Sequence, residues 1–336
     1  MKIYDPTKND SLGQFRGGGR IIQMLRENLE TEAEFVADFN LVNQDDTLLV
    51  PFWKPFEAPI LEKMIAKRQI LIIFDVIPLK YPSHFPPGIK GKLNLWRNKQ
   101  ALKNYDRIIT ISEHSRDDII QHLGIGDDKI AVVYPTYTNS FASSKTAEKK
   151  TSAAPYCLYV GDANWNKNLV NLARAIKIAD VKCLFVGKGF KNLEHDHEAM
   201  GHPELAELRQ FLHEVQGDER FVFKGYVSDE ELAGLYHEAR CNLLISRDEG
   251  FGLSYLEAAT QKCPSVLSDI KVLREIGDDS AIFADPEDPA KIALGIKKYF
   301  SDIALREKMG NLAFSHSKKF SPKIFGDKIL ATISSL

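Results

Sequence analysis

Cys241-Asn-Leu-Leu-Ile-Ser246 is an apolar run, and Glu249-Gly-Phe-Gly-Leu-Ser-Tyr-Leu-Glu257 follows almost at once, opening into a helix-like pattern through Lys262. Strand, glycine turn and helix start, in that order, are the unit from which doubly wound α/β domains are built. The first-turn N–H groups of such a helix have no intrahelical partner and point at any anion placed before it. Gly250 and Gly252 let the backbone come close. A carboxylate at Glu249 would repel a phosphate, so it calls for a neighbour that carboxylates bind, such as a sugar hydroxyl.

The same alternation extends over the rest of the chain. Apolar runs lie at 34–39, 47–52, 69–74, 107–111 and 130–134 in the first half. In the second half they lie at 156–160, 182–186, 220–224, 241–245, 264–267 and 281–283. Runs such as Ile70-Leu-Ile-Ile-Phe74 are apolar throughout, which marks parallel strands buried on both faces. Helical patterns separate them, for example at 168–179, 204–215 and 229–239; beyond Ala281 the chain reads as helical, ending in a pattern at 322–336. Residues 138–154 are small, polar and nearly free of apolar side chains, which predicts a linker. The expected organisation is a Rossmann-like domain over 1–140, the linker over 138–154, a second Rossmann-like domain over 155–320, and a C-terminal helix over 321–336 that packs back on the first domain. Two such domains facing a central cleft would turn the carboxyl ends of both sheets toward it, where open α/β sheets bind ligands.

Composition narrows the function. At 336 residues the chain is long enough for two cores. A net charge of -2 argues against a nucleic-acid protein. No apolar run has the length of a transmembrane helix, and Met1-Lys-Ile-Tyr-Asp5 does not read as a signal peptide, so a cytoplasmic location is expected. Cys157, Cys183, Cys241 and Cys263 lack metal-ligand spacing and read as reduced core residues.

Several stretches then carry a resemblance. They are Gly17-Gly-Gly-Arg20, Phe74-Asp-Val-Ile-Pro-Leu-Lys-Tyr-Pro82, Asp106-Arg-Ile-Ile-Thr-Ile-Ser-Glu-His-Ser-Arg-Asp-Asp118, Lys129-Ile-Ala-Val-Val-Tyr-Pro135, Tyr159-Val-Gly-Asp-Ala-Asn-Trp-Asn-Lys-Asn168, Val186-Gly-Lys-Gly189, Phe223-Lys-Gly-Tyr-Val-Ser-Asp229 and Glu249–Glu257. In this order they resemble the retaining glycosyltransferases of the GT-B fold, glycosyltransferase family 4-like (glycosyl transferases group 1). The resemblance implies transfer of a hexose from a UDP- or GDP-sugar to a hydroxyl of a glycan or lipid-linked acceptor, in cell-surface polysaccharide synthesis. The other readings left open are another GT-B sugar-nucleotide enzyme, an epimerase or phosphorylase, or a non-catalytic sugar-nucleotide-binding scaffold.

What the resemblance implies can be placed residue by residue. Glu249 contacts hydroxyls of the transferred hexose, and Glu257 holds the ribose diol. Gly250, Phe251, Gly252 and Leu253 supply backbone N–H groups. Lys167, with Gly161 before it, neutralises the diphosphate. Gly17, Gly18, Gly19 and Arg20 approach the diphosphate from the first domain. Asp75 serves either the sugar or acceptor side or caps the loop after its strand; Tyr226 and Val227 either flank the nucleobase or belong to the core. The chain departs from the pattern at Asp162, where many relatives carry arginine, with Arg247 or Lys188 as compensating cations. It departs again at Phe74, where many carry histidine. No cofactor and no metal are expected, since no Asp-x-Asp cluster suited to a divalent cation stands out. The basic stretch at 91–103 offers a peripheral contact with an anionic membrane, at the inner face.

Overall fold

Among the described residues every strand pairs parallel to its neighbours. The computed structural model describes residues 1–9, 17–143, 154–190 and 206–336, with the side chains at 8, 9, 17, 18, 143 and 188 excepted. The chain divides into two units, Met1–Thr138 together with Phe320–Leu336, and Asn139–Lys319.

The first unit holds β1 (Lys2–Tyr4), β2 (Glu34–Val36), β3 (Thr47–Val50), β4 (Arg68–Ile72), β5 (Arg107–Thr110) and β6 (Ile130–Val132) in the spatial order β2-β1-β3-β4-β5-β6. Its helices are α1 (Gly17–Leu29), α2 (Ile77–Lys80), α3 (Gly88–Ala101), α4 (Glu113–Leu123) and α13 (Pro322–Ser334). β1 is missing from the apolar runs because it is three residues long and fully buries only Ile3. The chain changes direction across the sheet between β1 and β3, so this is where an open parallel sheet leaves a crevice beyond its carboxyl ends. Asp5 ends β1 fully buried. Its Oδ1 accepts from Thr7 N at 2.9 Å and Thr7 Oγ1 at 2.6 Å, and its Oδ2 pairs with Arg26 of α1. α13 packs on α1.

The second unit holds α5 (Asn139–Ser143), β7 (Tyr156–Val160), α6 (Leu169–Ala179), β8 (Lys182–Val186), α7 (Ala206–Val215), β9 (Phe221–Gly225), α8 (Asp229–Glu238), β10 (Cys241–Leu244), α9 (Leu253–Thr260), β11 (Ser265–Ser268), α10 (Lys271–Gly277), β12 (Ile282–Ala284), α11 (Pro289–Ser301) and α12 (Ile303–Ser317). The predicted linker thus begins with α5, and its remainder up to residue 153 lies outside the described residues, as do residues 204 and 205 of the helix expected at 204–215. The spatial order is β12-β11-β10-β7-β8-β9. Counted from β7, this is the 3-2-1-4-5-6 order of the Rossmann fold, with its switch point between β7 and β10. Cys157, Tyr159, Phe185, Phe211, Leu243 and Ile296 belong to its core. The four cysteines are buried free thiols; burial pushes those of Cys183 and Cys241 well up, which keeps them protonated and unreactive.

α12 locks the helix that carries Glu257. Gly310 of α12 lies against the carbonyl oxygen of Lys262, just past α9, and an added Cβ would fall well inside contact distance of it. Helix propensity alone favours alanine over glycine by about 1 kcal/mol. Overpacking costs about 1–3 kcal/mol, and here the obstacle is backbone, held by Lys262 at φ 55°. Gly310→Ala is therefore expected to lower the urea midpoint; a raised midpoint would mean that α12 shifts freely against α9.

Candidate functional site

Two loops leave the carboxyl ends of adjacent strands at the second unit's switch point. One follows β7 and carries Gly161 to Asn168; the other follows β10 and carries Ile245 to Gly252. Backbone and side chains lace them together. Arg247 N donates to Asn166 O at 2.7 Å, and Asn166 Nδ2 donates to Asp248 O at 3.1 Å. Lys167 Nζ donates to Glu249 Oε1 at 2.6 Å. Ser246 Oγ donates to the same oxygen at 2.6 Å, and Asp248 Oδ1 accepts from Glu249 N at 2.9 Å. Both side-chain donors address Oε1, so among the described residues Glu249 Oε2 has no protein donor. The Lys167 and Glu249 side chains keep 20% and 9% of their exposure. The pair is fixed by its surroundings yet reachable.

The turn into α9 is built for close approach. Gly252 takes φ 121°, and a Cβ there would meet Leu273 Cδ2 at 3.0 Å and Leu244 Cδ2 at 3.3 Å. Gly250 and Phe251 are buried, and Leu253, half-buried, opens the helix. Tyr255 N and Leu256 N both return to Gly252 O, closing the first turn of α9 on that carbonyl. Glu257 lies one turn further along α9, almost fully buried, and its Oε2 accepts from Tyr236 Oη of α8 at 3.3 Å.

Arg247 is engaged on several sides. Its Nη1 donates to Glu207 Oε2 at 2.6 Å and to Trp165 O at 2.8 Å, its Nε donates to Glu287 Oε1 at 2.8 Å, and the guanidinium lies over the Trp165 ring at 5.1 Å. Burial holds the Glu207 carboxyl above the usual glutamate range, although Arg247 beside it pulls the other way. Arg247 therefore braces the β7 and β10 loops to α7 and to the segment before α11. Glu207 is absent from the sequence reading because its partner stands forty positions away. Asp162 is exposed, while its backbone carbonyl accepts from Tyr159 Oη at 2.6 Å. Gly161 N donates to Val186 O at 3.0 Å, joining the ends of β7 and β8. Tyr226, 43% exposed, and Val227, buried, follow the edge strand β9. The side chain of Lys188 lies outside the described residues.

In the first unit, α1 begins at Gly17 itself, so Gly17, Gly18, Gly19 and Arg20 are already helical; the side-chain positions of Gly17 and Gly18 lie outside the described residues. Asp75 Oδ1 accepts from Ile77 N at 3.1 Å at the start of α2, which is the capping geometry. Beside it in sequence, Lys80 Nζ donates to Asp118 Oδ2 at 2.6 Å and lies 3.3 Å from His114 Nε2. This Lys–Asp–His group spans two quoted motifs and was assigned no role from sequence. A cavity of about 470 Å³ lies at the β1–β3 switch point of the same unit. Tyr4, Gly19, Phe52, Trp53, Phe74 and Tyr105 are among its walls, and the lining is mostly apolar.

The comparisons with known proteins agree with this arrangement. Residues 50–137 match the model of glycosyltransferase family 4, and residues 140–316, more than half of the chain, match that of glycosyl transferases group 1. The O-antigen chain mannosyltransferase RfbU of Salmonella typhimurium is 28% identical over 235 residues, covering 69% of this chain and 61% of that protein. O-antigen chain mannosyltransferase B of Escherichia coli is 28% identical over 268 residues, covering 76% and 67%. Thus the chain spans only about two thirds of the length of these curated relatives. Among solved structures, Anabaena HepE in complex with UDP-glucose superposes with a TM-score of 0.70 at 16% identity, over 100% of this chain and 99% of that one. The sucrose-phosphate synthase of Thermosynechococcus elongatus superposes at 0.67 and 17%, over 86% and 73%. These likenesses establish the GT-B fold, with its two Rossmann-like domains. With the Lys167 and Glu249 loops both inside the longer match, the chain belongs to the glycosyl transferases group 1 family.

Proposed function

We propose that this protein is a retaining, metal-independent hexosyltransferase that uses a UDP- or GDP-sugar and builds a cell-surface polysaccharide. The observation that carries the reading is the Lys167–Glu249 pair across the β7–β10 switch point, directly before the α9 N-terminus. It is supported by the names of the relatives, two of which are O-antigen mannosyltransferases. The UDP-glucose bound in the HepE structure also supports a nucleotide-sugar donor.

In this reading the second unit is the donor domain. The diphosphate sits at the first N–H groups of α9 and beside Lys167, where fixed positive charge stabilises the leaving group. Glu249 Oε2 accepts from a hexose hydroxyl, while Glu257 reaches the ribose diol. The bond from the anomeric carbon to the diphosphate oxygen breaks, and the acceptor oxygen bonds that carbon from the same face. The acceptor's proton passes to the departing phosphate. The glycosidase scheme of two close carboxylates with one as nucleophile is not used. The first unit is the acceptor domain, and its switch-point cavity takes the apolar part of a glycan or lipid-linked acceptor. Lys80, His114 and Asp118 stand at the carboxyl end of that sheet and serve the acceptor or sugar side with Asp75. The enzyme works at the inner face of the membrane as a peripheral protein.

Three outcomes test this. Glu249→Ala is expected to lose about 10²–10³-fold in transfer rate, the scale seen when one positioned polar group is removed from an active site, with its fall in stability measured separately because the change also breaks the Lys167 pair. Wild-type rates in that variant would remove Glu249 from the sugar site. In a thermal-shift panel of UDP, GDP and their sugar conjugates, one nucleotide series is expected to raise the melting temperature; a saturating ligand at a hundred times its Kd adds about 2.7 kcal/mol. No shift with any of them would overturn the donor assignment. Arg247→Ala leaves Glu207 buried without its partner, so it is expected to cost about 2 kcal/mol or more in urea unfolding and to weaken donor binding through the loosened loops. Unchanged stability would mean that the brace is not formed in solution.

A further inference from the structure

Helix α3 is amphipathic the wrong way round. Its buried face consists of Gly91, Asn94, Asn98 and Ala101. The two asparagines are 4% and 3% exposed, and both donate to backbone carbonyls. Asn94 Nδ2 donates to Phe56 O at 3.0 Å; Asn98 Nδ2 donates to Glu57 O at 2.9 Å and to Lys54 O and Pro55 O at 3.2 Å. The outward face carries Ile89, Leu93 and Trp96, which are 92%, 56% and 61% exposed. Their spacing of four and three residues puts them on one stripe of the helix. Single exposed apolar residues need no explanation, but an aligned apolar stripe on a helix whose inner face is polar does.

Charge identifies what covers it. No acidic residue occurs from 76 to 105, whereas Lys90, Lys92, Arg97, Lys99 and Lys103 all belong to α3 or the turn after it. Lys90 and Lys92 are exposed beside the stripe. Only Arg97 meets a carboxylate, Glu62, and Glu62 lies between two further exposed apolar side chains, Ile60 and Met64. Among the described residues no helix is long and apolar enough to cross a membrane. A short helix with a Trp-containing apolar stripe and a lysine border matches the interface of a bilayer with anionic headgroups. The stripe enters the headgroup boundary, the tryptophan sits at headgroup level, and the lysines meet the negative surface.

We infer that α3 docks the protein flat on an anionic lipid bilayer through Ile89, Leu93 and Trp96, with Lys90 and Lys92 as its electrostatic border. This deepens the peripheral location proposed above by naming the surface that makes it. The inner wall of the same helix and its following turn, through Asn98, Ala101 and Leu102, lines the apolar cavity of the first unit. Docking would therefore bring that cavity to the layer in which a lipid-linked acceptor resides.

The test uses the full chain and vesicles of phosphatidylcholine with or without phosphatidylglycerol, and it reads binding rather than transfer. A failed transferase reading and a failed docking reading are therefore told apart. The wild type is expected to sediment with the phosphatidylglycerol vesicles only, and added salt should release it. Leu93→Ser/Trp96→Ser should weaken partitioning at least roughly tenfold, as expected when the buried apolar area of an interfacial helix is removed. Lys90→Glu/Lys92→Glu should weaken it as well. Both variants should melt with the wild type, because every changed side chain is exposed. The emission of the wild type should shift to the blue on binding, and Trp96→Phe should abolish that shift. Absence of sedimentation, or variants that bind like the wild type, would overturn the proposal. So would a dimer in light scattering that Leu93→Ser/Trp96→Ser splits, since the stripe would then belong to a second copy.

Discussion

The ion pair between Lys167 and Glu249 is the contact on which the candidate site depends. Glu249 is 8% exposed, and a carboxylate that far from water is costly unless a cation and hydrogen bonds replace its hydration. Lys167 and Ser246 supply both, to one oxygen. This fixes the carboxylate's orientation before any ligand arrives, a precondition for electrostatic recognition without reorganisation. It also constrains the chemistry. A lysine already paired with a carboxylate contributes less net charge to a diphosphate than an isolated lysine would. In the proposed reading the phosphate is then left chiefly to the backbone N–H groups at the start of α9. In the same reading the exposed carboxylate of Asp162 increases that reliance.

The pair exists because of topology. β7 and β10 are far apart in sequence but adjacent in the sheet, so the loops beyond them meet although Lys167 and Glu249 stand 82 positions apart. The parallel register puts every strand's carboxyl end on the same edge. The first unit follows the same rule at β1 and β3 with different contents. Aromatic and aliphatic side chains line its cavity, while the second unit's switch point carries the Lys167–Glu249 pair. One architecture thus supplies an apolar pocket in one domain and a charged pair before a helix start in the other, because function resides in what the loops carry and not in the sheet.

Local features of this molecule were legible in the sequence. Apolar runs such as 156–160, and 182–186 after its opening lysine, coincide with β7 and β8, since a strand covered on both faces has no polar alternation to obscure it. The Glu249–Glu257 turn was legible for the same reason: strand, glycines and helix are contiguous. β1 was not, because three residues with a single buried side chain carry no periodic signal. The bracing role of Arg247 was not legible. Its partners Glu207 and Glu287 each lie forty residues away, and only the folded sheet brings α7 and the segment before α11 to the β10 loop. An unpaired arginine near a phosphate motif and a brace look identical in one dimension.

α3 shows the limit from the other direction. Its lysines and apolar residues read as a basic amphipathic stretch that offers an anionic-membrane contact, and that reading does not say which face of the helix is buried. The sequence holds that signal in Asn94 and Asn98, one turn apart, since a side-chain amide is buried only where carbonyls await it. The irregular segment at 54–57 provides those carbonyls, and it has no strand or helix partner for them. Once the two asparagines satisfy that backbone, their face of the helix must point inward, and the apolar stripe is forced outward by the geometry of a 3.6-residue turn. The exposure of Trp96 is thus a consequence of hydrogen-bond accounting in a loop forty residues earlier. A polar-to-apolar change at Asn98 would act on the outer face of the helix as much as on the inner one.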